Sequence, residues 1–159
     1  MGHDRELTVF DDGHFRICHC ADVDVPGYLI VAAEGEPGAW GDLTGAQRSR
    51  LGDVLALAAE AVRAVAGPER VYVCAFGEET PSLHFHLFPR YAWMGMLFQQ
   101  RTGASSIDGP ALLSLMRRER SCAPRAWSDP DGIRGVVRAL RRWLREHAEQ
   151  RFEREGDGR

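Results

Sequence analysis

Short apolar segments separated by acidic turns dominate the first part of the chain. The segments LTVF, HFRICHC and GYLIVAA follow one another, with DDG and VDVP between them. An Asp-Gly pair between two apolar stretches is typical of a β-hairpin. The pattern therefore predicts three consecutive strands, the first two joined by a tight turn.

A helical period begins after the loop EGEPGAWGD. Apolar side chains recur every three or four residues from Thr44, which is a good N-cap residue, to about Ala66, and Gly67-Pro68 ends the pattern. Two more apolar segments, VYVCAF and LHFHLF, follow and are separated by GEETPS. This order predicts an α+β fold with a mainly antiparallel sheet of about five strands and one long helix.

The pattern changes after Tyr91. The segment AWMGMLFQQRTGASSIDG has no regular period, PALLSLMRRER fits a short helix, and a long helix begins near Asp129 or Asp131. We therefore expect a core over residues 1–91 and a helical C-terminal extension over residues 92–159, packed together as one domain. Five apolar residues of the last helix form one stripe: Val136, Val137, Leu140, Trp143 and Leu144.

Arginines surround that apolar stripe. They are Arg134, Arg138, Arg141, Arg142 and Arg145. The favoured interpretation is a solvated face with glutamate partners, and contact with an anion or a partner protein is the alternative.

Composition narrows the classes of function. With 159 residues, 44% of them hydrophobic, the chain has material for one domain. Its net charge of -3 gives no overall electrostatic footprint for a nucleic acid polymer or a membrane surface, and no apolar run reaches the length of a membrane helix. Four cysteines do not make a disulfide framework, and no signal peptide is evident, so a cytoplasmic setting is expected.

The residue types that are missing also matter. Every basic side chain is arginine, and the chain contains neither lysine nor asparagine. A lysine Schiff base and any asparagine side-chain contact to a substrate are therefore excluded.

The segment SLHFHLFPR carries the candidate chemistry. Side chains alternate along a strand, so Ser82, His84 and His86 share one face, and the leucine and phenylalanine residues between them face the core. Paired imidazoles suit two tasks, which are binding a metal and transferring a phosphoryl group. A histidine pair at this spacing is as often structural as functional.

This segment resembles the signature of the histidine triad (HIT) family, in which three histidines alternate with apolar residues and Pro-Arg often follows. It matches the second and third histidines, the apolar spacers and Pro89-Arg90. The paired strands before it, the proline before the third strand and the helix from Thr44 are similar to that family too. The resemblance covers roughly Phe10 to Arg90 and implies a HIT-like fold and a homodimer.

The resemblance also implies a reaction. His84 would attack the α-phosphate of a nucleotide substrate and form a nucleotidyl-imidazole intermediate, with its other ring nitrogen oriented by a main-chain carbonyl at Ser82. His86 would donate to the nonbridging oxygens. The implied activity is a nucleotide phosphohydrolase or nucleotidyl transferase acting on a dinucleoside polyphosphate, an adenylate or a similar conjugate, without a cofactor.

Several positions depart from the family pattern. Ser82 stands where the leading histidine would be. Family members commonly place an asparagine on the substrate's phosphates, and by motif spacing its position falls near Val71. The family often has Gly-Gln or Gly-Glu and a hydroxyl residue before the motif, and an acid that holds the ribose on an earlier strand. The residues at those places are the expected substrate-binding residues, together with Ser82: Gly77, Glu78, Glu79, Cys20 and Asp22.

These departures leave two alternatives open. One is a HIT-like protein that binds nucleotides without turning them over. The other is a HIT scaffold adapted to a reaction of specialised metabolism, in one version with a metal. Cys20, His84 and His86 have suitable ligand types for zinc, but structural cysteine is commoner, so no metal is the expectation.

Overall fold

Five antiparallel strands form a sheet in the computed structural model, which describes residues 6–77, 80–119 and 130–153. The elements in chain order are β1 (Thr8–Asp11), β2 (Phe15–His19), β3 (Leu29–Ala33), a 3-10 turn (Trp40–Asp42), α1 (Gly45–Ala66), β4 (Arg70–Cys74), β5 (His84–Arg90), α2 (Ala92–Thr102), α3 (Gly109–Glu119) and α4 (Pro130–Glu153). The strand order is β1-β2-β3-β5-β4, so β5 lies between β3 and β4. The predicted α+β class and five-stranded sheet are confirmed.

Helix α1 has the boundaries that its sequence predicts. The Thr44 hydroxyl accepts from the Gln47 N–H at 3.1 Å, and the Gln47 side chain accepts from the Thr44 N–H at 2.9 Å. This reciprocal capping satisfies two N–H groups that a helix start leaves open. At the other end Gly67 takes φ 60°, in the left-handed region that glycine adopts without strain.

The two faces of the sheet pack against different helices. On one face Ile17, Val31, Phe85 and Leu87 join buried residues of α1 and α4 in one apolar cluster. On the other face Tyr28 and Phe88 pack with residues of α2 and α3. The alternation predicted for β5 is therefore confirmed, because its odd-numbered residues face α1 and its even-numbered residues face the opposite side.

Residues 92–102 form helix α2, so the expectation of an irregular segment there is wrong. No side chain caps its start at Tyr91, which is why the sequence gives little indication of a helix. Burial of apolar side chains stabilises this helix. Met94 and Phe98, one turn apart, lie in the cluster that contains Tyr28 and Phe88. It ends at Gly103, which has φ 70°.

The two helices that follow are confirmed. Helix α3 begins where the Asp108 carboxylate accepts from the Ala111 N–H at 2.8 Å. Helix α4 buries Val137, Leu140 and Leu144 of the predicted stripe in the first cluster, beside α1. Asp129, one of its two predicted start residues, lies outside the described residues.

The five arginines that surround the apolar stripe of α4 divide into two groups. Arg134, Arg138, Arg142 and Arg145 are exposed, as expected for a solvated face. Arg141 instead donates from Nε to the Thr8 carbonyl at 2.6 Å and so ties α4 to β1. None of the helices in the described ranges combines the length and hydrophobicity needed to cross a bilayer.

Candidate functional site

His84 and His86 lie side by side on one face of β5. Their ring centroids are 4.9 Å apart and the rings are inclined at 72°. His84 pairs across the sheet with Ala32 of β3, while His86 lies between Ile30 of β3 and Cys74 of β4. His84 is half-buried, and His86 is only 6% exposed. The pair therefore sits in the middle of the sheet and not at its edge.

A main-chain contact fixes the orientation of the His84 ring. Its Nδ1 lies 2.8 Å from the carbonyl oxygen of Ser82, just before the strand begins. A carbonyl oxygen can only accept a hydrogen bond, so Nδ1 carries the proton. In the neutral ring, Nε2 of His84 then keeps its lone pair, which is the form a nucleophile requires. The resemblance implies this contact, and the serine side chain takes no part in it.

Tyr28 and Cys74 hold His86. The Tyr28 hydroxyl lies 3.0 Å from Nδ1 of His86, and the Cys74 thiol donates to the His86 carbonyl at 3.9 Å. Burial raises the pKa of Tyr28, which therefore stays protonated at neutral pH. Sequence reasoning missed Tyr28 because the contact joins positions 58 residues apart.

The predicted substrate-binding residues are brought together only in part. The Cys20 N–H donates to the Tyr28 carbonyl at 2.8 Å, which places Cys20 beside the residue that contacts His86. Asp22 is exposed near the start of the following turn. Gly77 has φ 75°, in the left-handed region that glycine adopts without strain. Glu78 and Glu79 lie outside the described residues.

Two further residues near the histidines were not anticipated. The Phe76 ring is 51% exposed, and its centroid is 5.8 Å from that of His86. Arg117 of α3 is half-buried, and its charge acts on Cys20, Tyr28 and Cys74. Burial raises the pKa of the Cys20 and Cys74 thiols, and the Arg117 charge partly opposes both increases. Neither residue belongs to a recognisable sequence motif, so no local signal marks them.

The three residues with ligand types suitable for zinc, Cys20, His84 and His86, form no metal cluster in the described part of the chain. Within the ranges that the structure describes, no three histidine, cysteine, aspartate or glutamate side chains are arranged to hold a metal ion. Cys20, His84 and His86 are therefore not preassembled as a metal site.

His19, on the opposite face of β2 from the thiols, closes the β2–β3 turn. It is 2% exposed; its Nδ1 lies 2.8 Å from the Cys20 carbonyl, and its Nε2 lies 3.1 Å from the Gly27 nitrogen. The carbonyl must accept and the main-chain N–H must donate, so the ring is neutral with its proton on Nδ1. Burial lowers the pKa of His19.

This arrangement predicts a pH-dependent stability. The folded state resists protonation of His19 while the unfolded chain accepts a proton, so the free energy of unfolding should rise from about pH 5.5 to about pH 7.5. The His19→Gln variant keeps one donor and one acceptor but does not titrate, so its rise should be smaller. Urea denaturation at several pH values measures both slopes. Equal slopes in the two proteins would contradict a neutral, buried His19.

Several solved structures with a similar architecture are named as histidine triad proteins. A histidine triad protein from Bradyrhizobium japonicum is 16% identical with a TM-score of 0.59, covering 87% of this chain and 90% of that chain. A hypothetical histidine triad nucleotide-binding protein from Sulfolobus tokodaii is 12% identical with a TM-score of 0.60, and the match covers 89% of this chain and 85% of that chain. A zinc-bound histidine triad family protein from Mycobacterium smegmatis is 13% identical with a TM-score of 0.55, covering 90% and 86%.

Comparison of sequences adds no relative. No protein-family model matches the chain, and no curated protein matches it either. Identities between 12% and 16% establish likeness of architecture and not of activity. By its strand order, its helices and these structural neighbours, the chain has the HIT-like fold of the histidine triad proteins.

Proposed function

We propose that this protein is a nucleotidyl hydrolase or transferase acting on a nucleoside phosphate or nucleotidyl conjugate, with His84 as nucleophile. The observation that carries this proposal is the 2.8 Å contact between His84 Nδ1 and the Ser82 carbonyl. It holds the ring in one tautomer and leaves the Nε2 lone pair for attack. A neutral imidazole is nucleophilic near neutral pH, and the resulting phosphoramidate is readily hydrolysed.

The reaction takes two steps. In the first, Nε2 of His84 attacks the α-phosphorus, an N–P bond forms, and the P–O bond to the leaving group breaks. The ring becomes positively charged in this adduct, and the Ser82 carbonyl faces its N–H. In the second step water attacks phosphorus, the N–P bond breaks, and the nucleoside monophosphate leaves with the neutral ring restored.

Three features support a nucleotide as substrate and a homodimer as the assembly, and both are part of the proposal. The fold is that of histidine triad proteins, one of which is named as nucleotide-binding. The positive charge of Arg117 acts on Cys20 and on Tyr28, which contacts His86. Strand β4 is an edge strand and Val73 on it is 48% exposed, which suits a homodimer. A cytoplasmic location and the absence of a nucleic acid polymer as partner complete the proposal.

Rapid-quench labelling tests the covalent step. The enzyme is mixed with a dinucleoside polyphosphate or an adenylate carrying a labelled α-phosphate, and protein-bound label is measured within the first turnover. An acid-labile, base-stable adduct is expected, as for a phosphoramidate. Steady-state turnover without any such adduct would exclude a nucleotidyl-histidine intermediate.

A second candidate is nucleotide binding without turnover. It is favoured by the burial of His86, which exposes 6% of its surface, and by Ser82 in place of a leading histidine. Calorimetry separates the two functions. Binding of nucleotides with no hydrolysis of dinucleoside polyphosphates, aminoacyl adenylates or amine adenylates would establish the second function, and turnover of any of them would exclude it.

Phe76 provides a test of where the base binds. Its half-exposed ring lies beside His86 and offers a stacking surface, and base–aromatic stacking contributes about 1–3 kcal/mol. The Phe76→Ala variant should therefore raise KM roughly tenfold with little change in kcat, because the ring binds ground state and transition state alike. Steady-state kinetics checks this, and Phe76→Tyr, which keeps the ring, should retain the original KM. A fall in kcat at unchanged KM would place the base elsewhere.

A further inference from the structure

Tyr28 is a buried tyrosine whose hydroxyl points at one of the two histidines. We infer that Tyr28 is a positioning residue that holds His86 in the tautomer with its proton on Nε2, ready to donate to a phosphoryl oxygen. The contribution to turnover rests on the proposed function. The tautomer itself does not, and it can be measured without any substrate.

The direction of the hydrogen bond follows from the surroundings of the hydroxyl. Tyr28 is 1% exposed, and burial raises the pKa of its hydroxyl, which keeps the proton on oxygen. Among the described residues, Nδ1 of His86 is the hydrogen-bond partner of this oxygen, at 3.0 Å. A buried O–H group without an acceptor is strongly disfavoured, so the phenol donates and Nδ1 accepts. Nε2 of His86 therefore carries the ring proton.

The position of the phenol is itself fixed. Its ring makes an edge-to-face contact with Phe88 at a centroid distance of 5.2 Å. Its main chain is held at both ends of the turn, because the Tyr28 N–H donates to the Val25 carbonyl at 3.1 Å and the Cys20 N–H donates to the Tyr28 carbonyl at 2.8 Å. The hydroxyl is thus presented to His86 by groups that cannot easily move.

The two histidines then have complementary forms. The Ser82 carbonyl keeps the proton of His84 on Nδ1, while the Tyr28 hydroxyl keeps the proton of His86 on Nε2. One ring offers a lone pair at Nε2 and its neighbour, 4.9 Å away, offers a proton at the same position of the ring. Attack on phosphorus needs the first, and charge that develops on the phosphoryl oxygens needs the second.

Nitrogen NMR of the histidine side chains tests the assignment. In the ¹⁵N-labelled full chain above the imidazole titration range, at about pH 8, long-range ¹H–¹⁵N spectra distinguish the two neutral tautomers. We expect the Nε2–H pattern for His86 and the Nδ1–H pattern for His84, with signals assigned through His84→Gln and His86→Gln. In Tyr28→Phe the His86 pattern should shift towards a tautomer mixture or the Nδ1–H form, while that of His84 stays as it was.

Tyr91→Phe is the matched control. Tyr91 belongs to the same apolar cluster, and its buried hydroxyl donates to the Pro26 carbonyl at 2.6 Å. Both variants remove one buried phenol oxygen and keep the ring. With a substrate that the protein turns over, Tyr28→Phe should lower kcat roughly 10- to 100-fold. Its KM should change by less than about threefold. Tyr91→Phe should leave kcat within about twofold and the His86 signals in place.

Several outcomes would overturn the inference. They are an Nδ1–H pattern for His86 in the unmodified protein, an unchanged His86 pattern in Tyr28→Phe, and an equal change in Tyr91→Phe. A fall in kcat for Tyr28→Phe without a tautomer change would assign Tyr28 a merely structural role. If no substrate is turned over at all, the proposed function fails, while the spectra still decide the role of Tyr28.

Discussion

Replacing His84 by glycine is expected to lower turnover of a dinucleoside polyphosphate or an adenylate by roughly four orders of magnitude. The Ser82 carbonyl lies 2.8 Å from Nδ1 of His84 and orients the ring for attack. The variant therefore loses the nucleophile itself. The space left by the ring should accept free imidazole. Added imidazole is therefore expected to restore part of the turnover in His84→Gly, with nucleoside monophosphate release measured by chromatography.

Two controls make the His84 experiment specific. His14→Gln changes a histidine in the β1–β2 turn and should leave turnover within about twofold. Calorimetry with a nucleoside monophosphate should show affinity of His84→Gly within about threefold, because the substitution removes chemistry and little binding surface. Turnover of His84→Gly near the unmodified level would show that His84 is not the nucleophile.

Features fixed by neighbouring residues could be predicted from the sequence. The reciprocal capping of Thr44 and Gln47 and the stop at Gly67 involve residues close in the chain, so α1 was predicted with its observed ends. The alternation of β5 has the same local character. The contact between His84 and the Ser82 carbonyl is also local, because it joins residues two apart in the chain, and the resemblance implies it.

Features that depend on distant residues could not be predicted. Helix α2 lacks a capping side chain and is stabilised by the burial of Met94 and Phe98 in the cluster that also contains Phe88 and residues of α3. Tyr28 reaches His86 only because β3 and β5 are neighbours in the sheet, with Leu29 opposite Leu87. The charge of Arg117 acts on Cys20 and Cys74, and α3, which carries it, packs in the same cluster as Tyr28 and Phe88. In each case the decisive information is strand register or helix placement, which a single sequence does not encode locally.

The largest effect on stability is expected at Leu140. This side chain is fully buried in the cluster that joins α4, α1 and one face of the sheet, so Leu140→Ala should lower the free energy of unfolding by about 2–5 kcal/mol through lost transfer energy and a cavity. Arg142→Ala, an exposed change two residues along the same helix, should alter it by less than about 0.5 kcal/mol.

Urea denaturation of Leu140→Ala and Arg142→Ala measures both free energies of unfolding. The same experiment decides whether the C-terminal helix belongs to one folding unit with the sheet. Helix α4 shares its apolar cluster with α1 and β5, so the whole protein should unfold in one transition. Tryptophan fluorescence, which includes Trp143 on α4, should therefore give the same transition as far-ultraviolet circular dichroism. Leu140→Ala should shift that transition as a whole. Separate transitions, or a Leu140→Ala protein as stable as Arg142→Ala, would show that α4 is an appendage whose packing does not support the fold around the histidines.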